Sequence, residues 1–138
     1  MIKNRKGFTL IELMIVLALL GVIITSAFSV FSFGFKSFNA QTDNIDNQSK
    51  VRHAINDISK EIRRISAPVI TISGAEIDVD GVVYKLQGST LMKNGNELVS
   101  GIKSFNPSIL DKKITLKLTS QAKRGREFTL TSEIYVRE

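Results

Sequence analysis

The sequence predicts an α+β protein in which one long N-terminal helix packs, by its outer half, on a C-terminal antiparallel sheet. Two observations predict this fold. Residues 8–66 begin with an apolar run and continue with apolar side chains at helical spacing, whereas residues 67–138 alternate apolar and polar side chains around turn dipeptides. The 138 residues are enough for one domain of ordinary size.

The first segment has the composition of a membrane-spanning helix. Residues 8–35 contain one charged residue, Glu12, and about 20 apolar residues are enough to cross the hydrocarbon layer. Lys3, Arg5 and Lys6 precede this run. Because basic residues favour the cytoplasmic side, we expect a single-pass membrane protein whose remaining chain lies outside the cytoplasm.

Glu12 separates three interpretations of this segment. In a plain anchor, or in a secretory signal peptide cut before Phe28, the carboxylate has no partner and costs about 2.5–3.5 kcal/mol in the bilayer. A cut between Gly7 and Phe8 would create an α-amino cation four residues before Glu12, about 6 Å away along a helix. That cation can neutralise Glu12 within one helix or between neighbouring subunits.

The run from Lys6 to Ile23 resembles the N-terminus of type IV pilins and type II secretion pseudopilins. The resemblance implies that a prepilin peptidase removes residues 1–7 after Gly7 and methylates Phe8, and that Glu12 is the assembly carboxylate. It also implies a bilayer location before assembly. The implied protein partners are other pilin or pseudopilin subunits and an inner-membrane assembly platform, in a filament at the cell surface or in the periplasm.

Two departures from that family favour a minor pilin or a pseudopilin, or a pilin from a different bacterial group. Many major pilins have a proline about 21 residues after the cut, where this chain has Ser29, and many have a disulfide, which a chain without cysteine cannot form. Residues 51–64 also resemble, more loosely, the corresponding helix of minor pilins and pseudopilins of the J and W types.

The helix is predicted to continue over residues 36–66 as an amphipathic segment. Polar residues 41–50 form a weak stretch of helix where a bend can occur, and Pro68 ends the helix. A narrow apolar stripe suited to packing on a sheet is expected from six residues. These are Ile45, Val51, Ile55, Ile58, Ile62 and Ile65.

Residues 67–138 are predicted to form the antiparallel sheet. Asp80-Gly81 and Asn94-Gly95 are dipeptides typical of two-residue hairpin turns. Residues 113–119 and 127–136 alternate apolar and polar side chains, as expected of strands with one covered face. The apolar stripe of the helix is the natural cover for that face.

The composition argues against an enzyme and predicts no cofactor or metal site. There is one histidine, no cysteine, no glycine-rich phosphate loop and no nucleophile elbow. Lys123, Arg124 and Arg126 form a basic loop that can contact DNA, as in a competence pseudopilin, or can simply keep a sheet edge solvated. No aromatic residue is interleaved for base stacking. A membrane-anchored binding module that does not polymerise is the alternative to a filament subunit.

Overall fold

The computed structural model describes residues 7–136, so the predicted leader lies outside the described residues except for Gly7. The described chain divides into two compact units, of which one ends at Phe38 and the other begins at Asn39. Helix α1 (Leu10–Arg64) contributes to both and confirms the predicted long helix. Residues 41–50 are helical throughout.

The second unit contains eight strands, all joined antiparallel. They are β1 (Ile70–Ile72), β2 (Glu76–Val79), β3 (Val82–Gln87), β4 (Thr90–Lys93), β5 (Asn96–Ser100), β6 (Ile102–Leu110), β7 (Lys113–Ser120) and β8 (Thr129–Tyr135). The order β1-β2-β3-β4-β5 forms one sheet and β6-β7-β8 forms another. The prediction of antiparallel pairing is confirmed, but the expectation of a single sheet is wrong.

Both predicted hairpin turns are present. Asp80 and Gly81 have φ values of 55° and 87°, and Asn94 and Gly95 have values of 49° and 80°. Positive φ at both central residues is the geometry that matches the twist of the flanking strands, and it favours the Asp-Gly and Asn-Gly pairs. The turns join β2 to β3 and β4 to β5.

The change from one sheet to the other takes place at Gly101. This residue alone separates β5 from β6, and its φ of 80° is one that glycine adopts without strain. The N–H groups of Gly101 and Ile102 both donate to the carbonyl oxygen of Ser89, at 2.8 and 2.9 Å. The bend is therefore held by main-chain hydrogen bonds, and it starts a second sheet instead of a sixth strand.

One face of the helix packs into the core of the second unit. Val51, Ile58 and Ile62 are at most 2% exposed, Ile55 is also buried and Ile65 is partly buried, as the stripe predicted. Ala54, which the predicted stripe did not include, is buried as well. The prediction for Ile45 is wrong, because its side chain is 68% exposed. Six residues, the step from Ile45 to Val51, is not a whole number of helical turns, so the two side chains lie on different faces.

A polar cluster links the helix to the five-stranded sheet. The Tyr84 hydroxyl donates to Asp57 Oδ2 at 2.8 Å, and Lys93 Nζ donates to the same oxygen at 2.7 Å. Burial raises the pKa of Asp57, but the hydrogen bonds from Lys93 and Tyr84 outweigh burial and leave that pKa below its ordinary value. Burial and the Asp57 carboxylate raise the pKa of Tyr84, so the phenol stays protonated as a donor.

Asp57→Ala should lower the free energy of unfolding of the second unit by about 1.5–3 kcal/mol, because the buried Tyr84 hydroxyl loses a charged acceptor. Urea unfolding of the full chain in detergent micelles measures this by tyrosine fluorescence, which is free of tryptophan signal. Glu97→Gln, at an exposed position on β5, is the matched control and should unfold like the parent protein.

The same site gives a defined pH dependence. Because the pKa of Asp57 is lower in the folded than in the unfolded chain, its stabilisation is complete above the unfolded value of about 3.9 and is lost as pH falls through the folded value. The stability difference between the parent and Asp57→Asn should shrink as pH falls below about pH 4. A difference that does not change with pH would contradict the assignment.

Candidate functional site

The N-terminus of α1 is organised by a reciprocal hydrogen-bonded cap. Glu12 Oε2 accepts from the Thr9 N–H at 2.9 Å and from the Thr9 hydroxyl at 2.9 Å. The Glu12 N–H donates to Thr9 Oγ1 at 3.3 Å. Thr9 is the residue before the first helical position and Glu12 is the third residue of the helix, so this is a capping box.

The cap gives Glu12 an intrahelical partner that sequence reasoning missed. The signal was available, since Thr-x-x-Glu before an apolar run is the pattern of a capping box. Its three bonds join Thr9 and Glu12 to each other, and both residues lie after the predicted cut. Of the two carboxylate oxygens, Oε2 takes part in the cap, and no donor among the described residues is bonded to Oε1.

The predicted processing site lies beside this cap. Gly7 and Phe8 are outside the helix and are exposed, and the Phe8 side chain is 84% exposed. A Cβ added at Gly7 would meet no atom within 4 Å, so no contact among the described residues requires glycine there. The peptide bond between Gly7 and Phe8 is therefore accessible to an enzyme.

The first unit exposes its apolar side chains on all sides of the helix. Every residue from 7 to 31 is exposed, and no residue from 7 to 38 is buried. By length and composition this part of α1 can cross a membrane. An apolar surface of this extent requires lipid or other protein chains to cover it.

Three hydroxyl side chains in this segment donate hydrogen bonds within the helix. Thr25 Oγ1 donates to the carbonyl oxygens of Gly21 and Val22 at 2.9 and 3.0 Å, and Ser26 Oγ donates to that of Val22 at 2.8 Å. Ser29 Oγ donates to the Thr25 carbonyl at 2.9 Å. These bonds suit an apolar environment, in which an unsatisfied hydroxyl is costly.

Phenylalanines mark the end of the apolar segment. Phe28, Phe31, Phe35 and Phe38 recur at steps of three and four residues, and each is more than half exposed. The rings of Phe31 and Phe35 contact each other, with centroids 5.1 Å apart at an interplanar angle of 49°. The stripe is thus available to lipid or to neighbouring helices.

In the second unit, the basic loop between β7 and β8 is fastened to the helix by its backbone. Asn44 Oδ1 accepts from the Arg126 N–H at 2.6 Å, and Asn47 Nδ2 donates to the Arg126 carbonyl at 3.3 Å. Asn47 is 7% exposed. The two asparagines lie about one helical turn apart and therefore hold both polar groups of one loop residue.

The side chains of Lys123, Arg124 and Arg126 remain exposed on this fastened loop. The predicted contact of these three residues with DNA or another partner stays a prediction. Sequence reasoning missed Asn44 and Asn47, which are 82 and 79 residues away from Arg126. No local pattern reports such a long-range pairing.

The two units together define a class of protein, namely one with an exposed apolar N-terminal helix that is continued by an α+β domain. The family model of the prokaryotic N-terminal methylation motif matches residues 2–28, about a fifth of the chain. No curated protein and no solved structure shows a significant match to the chain. The motif supports a type IV pilin-like prepilin, fits an inner-membrane anchor, and points to a structural protein and not to an enzyme.

Gly125→Ala should release the basic loop. A Cβ at position 125 would overlap Asn44 Oδ1 and would lie 3.0 Å from the Ala40 carbonyl oxygen. Loss of the bond from the Arg126 N–H should lower the free energy of unfolding by about 1 kcal/mol and speed exchange of that amide. Hydrogen–deuterium exchange and urea unfolding of the full chain measure both effects.

Asn44→Ala and Gly125→Ala together form a double-mutant cycle that tests this prediction. It removes the same hydrogen bond and also the main obstruction to a Cβ at Gly125. The double variant should therefore cost less than the sum of the single variants. Additive costs would mean that the two residues act independently.

Proposed function

We propose that the protein is a structural subunit, a minor pilin or pseudopilin, of a type IV pilus or a type II secretion-like filament. The observation that carries the proposal is the methylation motif at the start of a long helix that has no buried residue between positions 10 and 38. A membrane alone could cover that surface, but it supplies no cation to neutralise the single carboxylate near the start of the helix.

The proposed course begins with insertion in the inner membrane, with the N-terminus in the cytoplasm and the sheet domain outside. A prepilin peptidase then cuts between Gly7 and Phe8 and methylates the Phe8 amine. The exposed, non-helical conformation of these two residues supports that step. An assembly platform next transfers residues 8–35 from lipid to a filament core formed by the same segments of neighbouring subunits.

In the assembled filament, Glu12 is proposed to pair with the Phe8 amine of a neighbouring subunit. Because the cap engages only Oε2, the other carboxylate oxygen can accept from that ammonium without loss of the bonds to Thr9. Pairing would neutralise both charges where the surroundings are apolar and an unpaired charge is expensive.

The N-terminus of the protein isolated from its host is predicted to be a methylated Phe8. Intact-mass and N-terminal peptide mass spectrometry test this directly. A chain that begins at Phe28 would identify an ordinary signal peptide, and a chain that retains Met1 would identify a plain anchor. Either result would overturn the proposed processing.

Substitutions at the cap can separate charge from capping. Glu12→Gln keeps a side chain that can serve a capping box but removes the negative charge, whereas Thr9→Ala keeps the charge and removes the hydroxyl. We expect Glu12→Gln and Glu12→Ala to insert normally and to lower the amount of subunit in sheared filaments about tenfold or more. Thr9→Ala should have the smaller effect, because a lost cap costs only about 1 kcal/mol.

Immunoblots of membrane and filament fractions provide the measurement. Normal incorporation of Glu12→Gln would show that the charge has no role in assembly. A defect in Thr9→Ala as large as that in Glu12→Ala would assign the role to the cap instead. Loss of the variants from the membrane fraction would place the defect before assembly.

A further inference from the structure

Strand β8 has a free edge whose polar backbone groups can be identified. Within residues 7–136, β8 pairs with β7 alone. The Ser120 N–H donates to the Phe128 carbonyl at 2.8 Å, and the Val136 N–H donates to the Lys112 carbonyl at 2.9 Å. Because backbone groups alternate in direction along a strand, the even-numbered residues of β8 direct their N–H and C=O groups toward β7. The N–H and C=O groups of Thr129, Thr131, Glu133 and Tyr135 therefore point to the free edge.

This edge lacks the features that usually prevent strand addition. Of the other terminal strands described, β1 has three residues, β5 pairs across a register shift, and β6 contains Lys103 and Pro107. Strand β8 has seven residues, no proline, no lysine and an unbroken register with β7. Edges that are long and regular are the ones that accept another strand.

A groove runs beside the free edge, between β8 and the last turns of α1. It consists of two cavities of about 610 and 380 Å³ that share Arg63. The larger is lined by Ile62, Ile65 and Val136, among others, and the smaller by Lys60 and Ser132. Ile62, Ile65, Ile134 and Val136 form an apolar part of the larger cavity, beside polar lining residues. The cationic side chains are Lys60 in the smaller cavity and Arg63, which lines both.

The charges of the groove favour an acidic occupant. Lys60 and Arg63 are exposed, and neither forms an ion pair with a described residue. Glu133 contributes a carboxylate to the lining, but Lys113 Nζ lies 3.1 Å from it. The net charge that the described residues of the groove offer to a ligand is therefore positive.

From this geometry we propose that the β8 edge binds an extended segment of another protein as an added antiparallel strand. Residues directly opposite each other on paired strands have side chains on the same face. The added residues opposite Val136 and Ile134 therefore meet the apolar part of the groove, and the residue opposite Ser132 meets Lys60 and Arg63. Counted from its N-terminal end, the bound segment has aliphatic residues at positions one and three and an acidic residue at position five. Positions two and four can hold any residue. This inference does not depend on the filament function.

The test uses the full chain in detergent micelles and the peptide acetyl-Val-Thr-Val-Lys-Glu-Thr-Thr-Thr-amide. A second peptide with lysine in place of the glutamate is the charge control. Fluorescence anisotropy measures affinity, and hydrogen exchange measures protection of individual amides. The first peptide should bind at least tenfold more tightly and should slow exchange at Thr131, Glu133 and Tyr135.

Two variants of the protein sharpen the result. Thr131→Pro removes an N–H that points away from β7, so it should leave the fold intact, as circular dichroism can verify, and weaken binding at least tenfold. Arg63→Glu should reverse the preference between the two peptides. Arg124→Glu makes the same charge change on the distant basic loop and should leave the preference unchanged.

Several outcomes would overturn the proposal. These are no binding of the first peptide, equal affinity for both peptides, and full binding by folded Thr131→Pro. A fourth is a dimer that forms without peptide and that Thr131→Pro dissociates, because the occupant of the edge would then be a second copy of this chain. Loss of peptide selectivity in Arg124→Glu would assign binding to long-range charge and not to the groove.

Discussion

The rest of the molecule depends on the exposed apolar surface of the first half of α1. Full burial of one leucine, isoleucine, valine or phenylalanine side chain contributes about 1.5–3 kcal/mol. Residues 8–35 contain many such side chains, all of them exposed. Their transfer to lipid or to a helix bundle therefore outweighs the cost of one carboxylate, about 2.5–3.5 kcal/mol. Glu12 cannot keep the helix out of an apolar environment, but its proposed pairing with an ammonium would select among apolar environments.

In the second unit, the helix must be held in one rotation against two separate sheets. An aliphatic stripe such as Val51, Ile55 and Ile58 gives most of the burial, yet similar side chains can exchange places when a helix turns or slides. Polar contacts are less tolerant. Asp57 accepts hydrogen bonds from side chains of the five-stranded sheet, and Asn44 accepts one from the Arg126 N–H in the loop between β7 and β8. Together these hydrogen bonds fix the rotation of the helix and its position along its axis relative to the two sheets.

The features that the sequence could predict are those encoded within a few residues. The membrane helix, the buried part of the helical stripe and the Asp80-Gly81 and Asn94-Gly95 hairpins depend on local period and on turn chemistry. Strand β1 has three residues, too few for its alternation to be recognised. Strand β6 contains Pro107, which argues against a strand unless it lies at an edge. The split into two sheets depends on the bend at Gly101, which propensity does not reveal.

In the candidate site, too, local features could be predicted from the sequence and long-range contacts could not. Gly7, Phe8 and Glu12 stand in one short motif and could be found from sequence, and the Thr9–Glu12 cap could have been found from its spacing. The fastening of the basic loop by Asn44 and Asn47 could not, because it joins residues about 80 positions apart. Tertiary contacts of that kind follow from the fold as a whole.

The cap and the proposed charge pair make complementary demands on Glu12. The bonds to Thr9 hold the carboxylate within the first turn of the helix, so its position along the axis is defined to about one residue, or 1.5 Å. A partner ammonium must then reach that level, which a sliding contact between aliphatic side chains would not enforce. Before cleavage the Phe8 nitrogen is a neutral amide and offers no such partner. Removal of the leader would therefore change the preferred neighbour of the helix from lipid to another processed subunit, with no change in the helix itself.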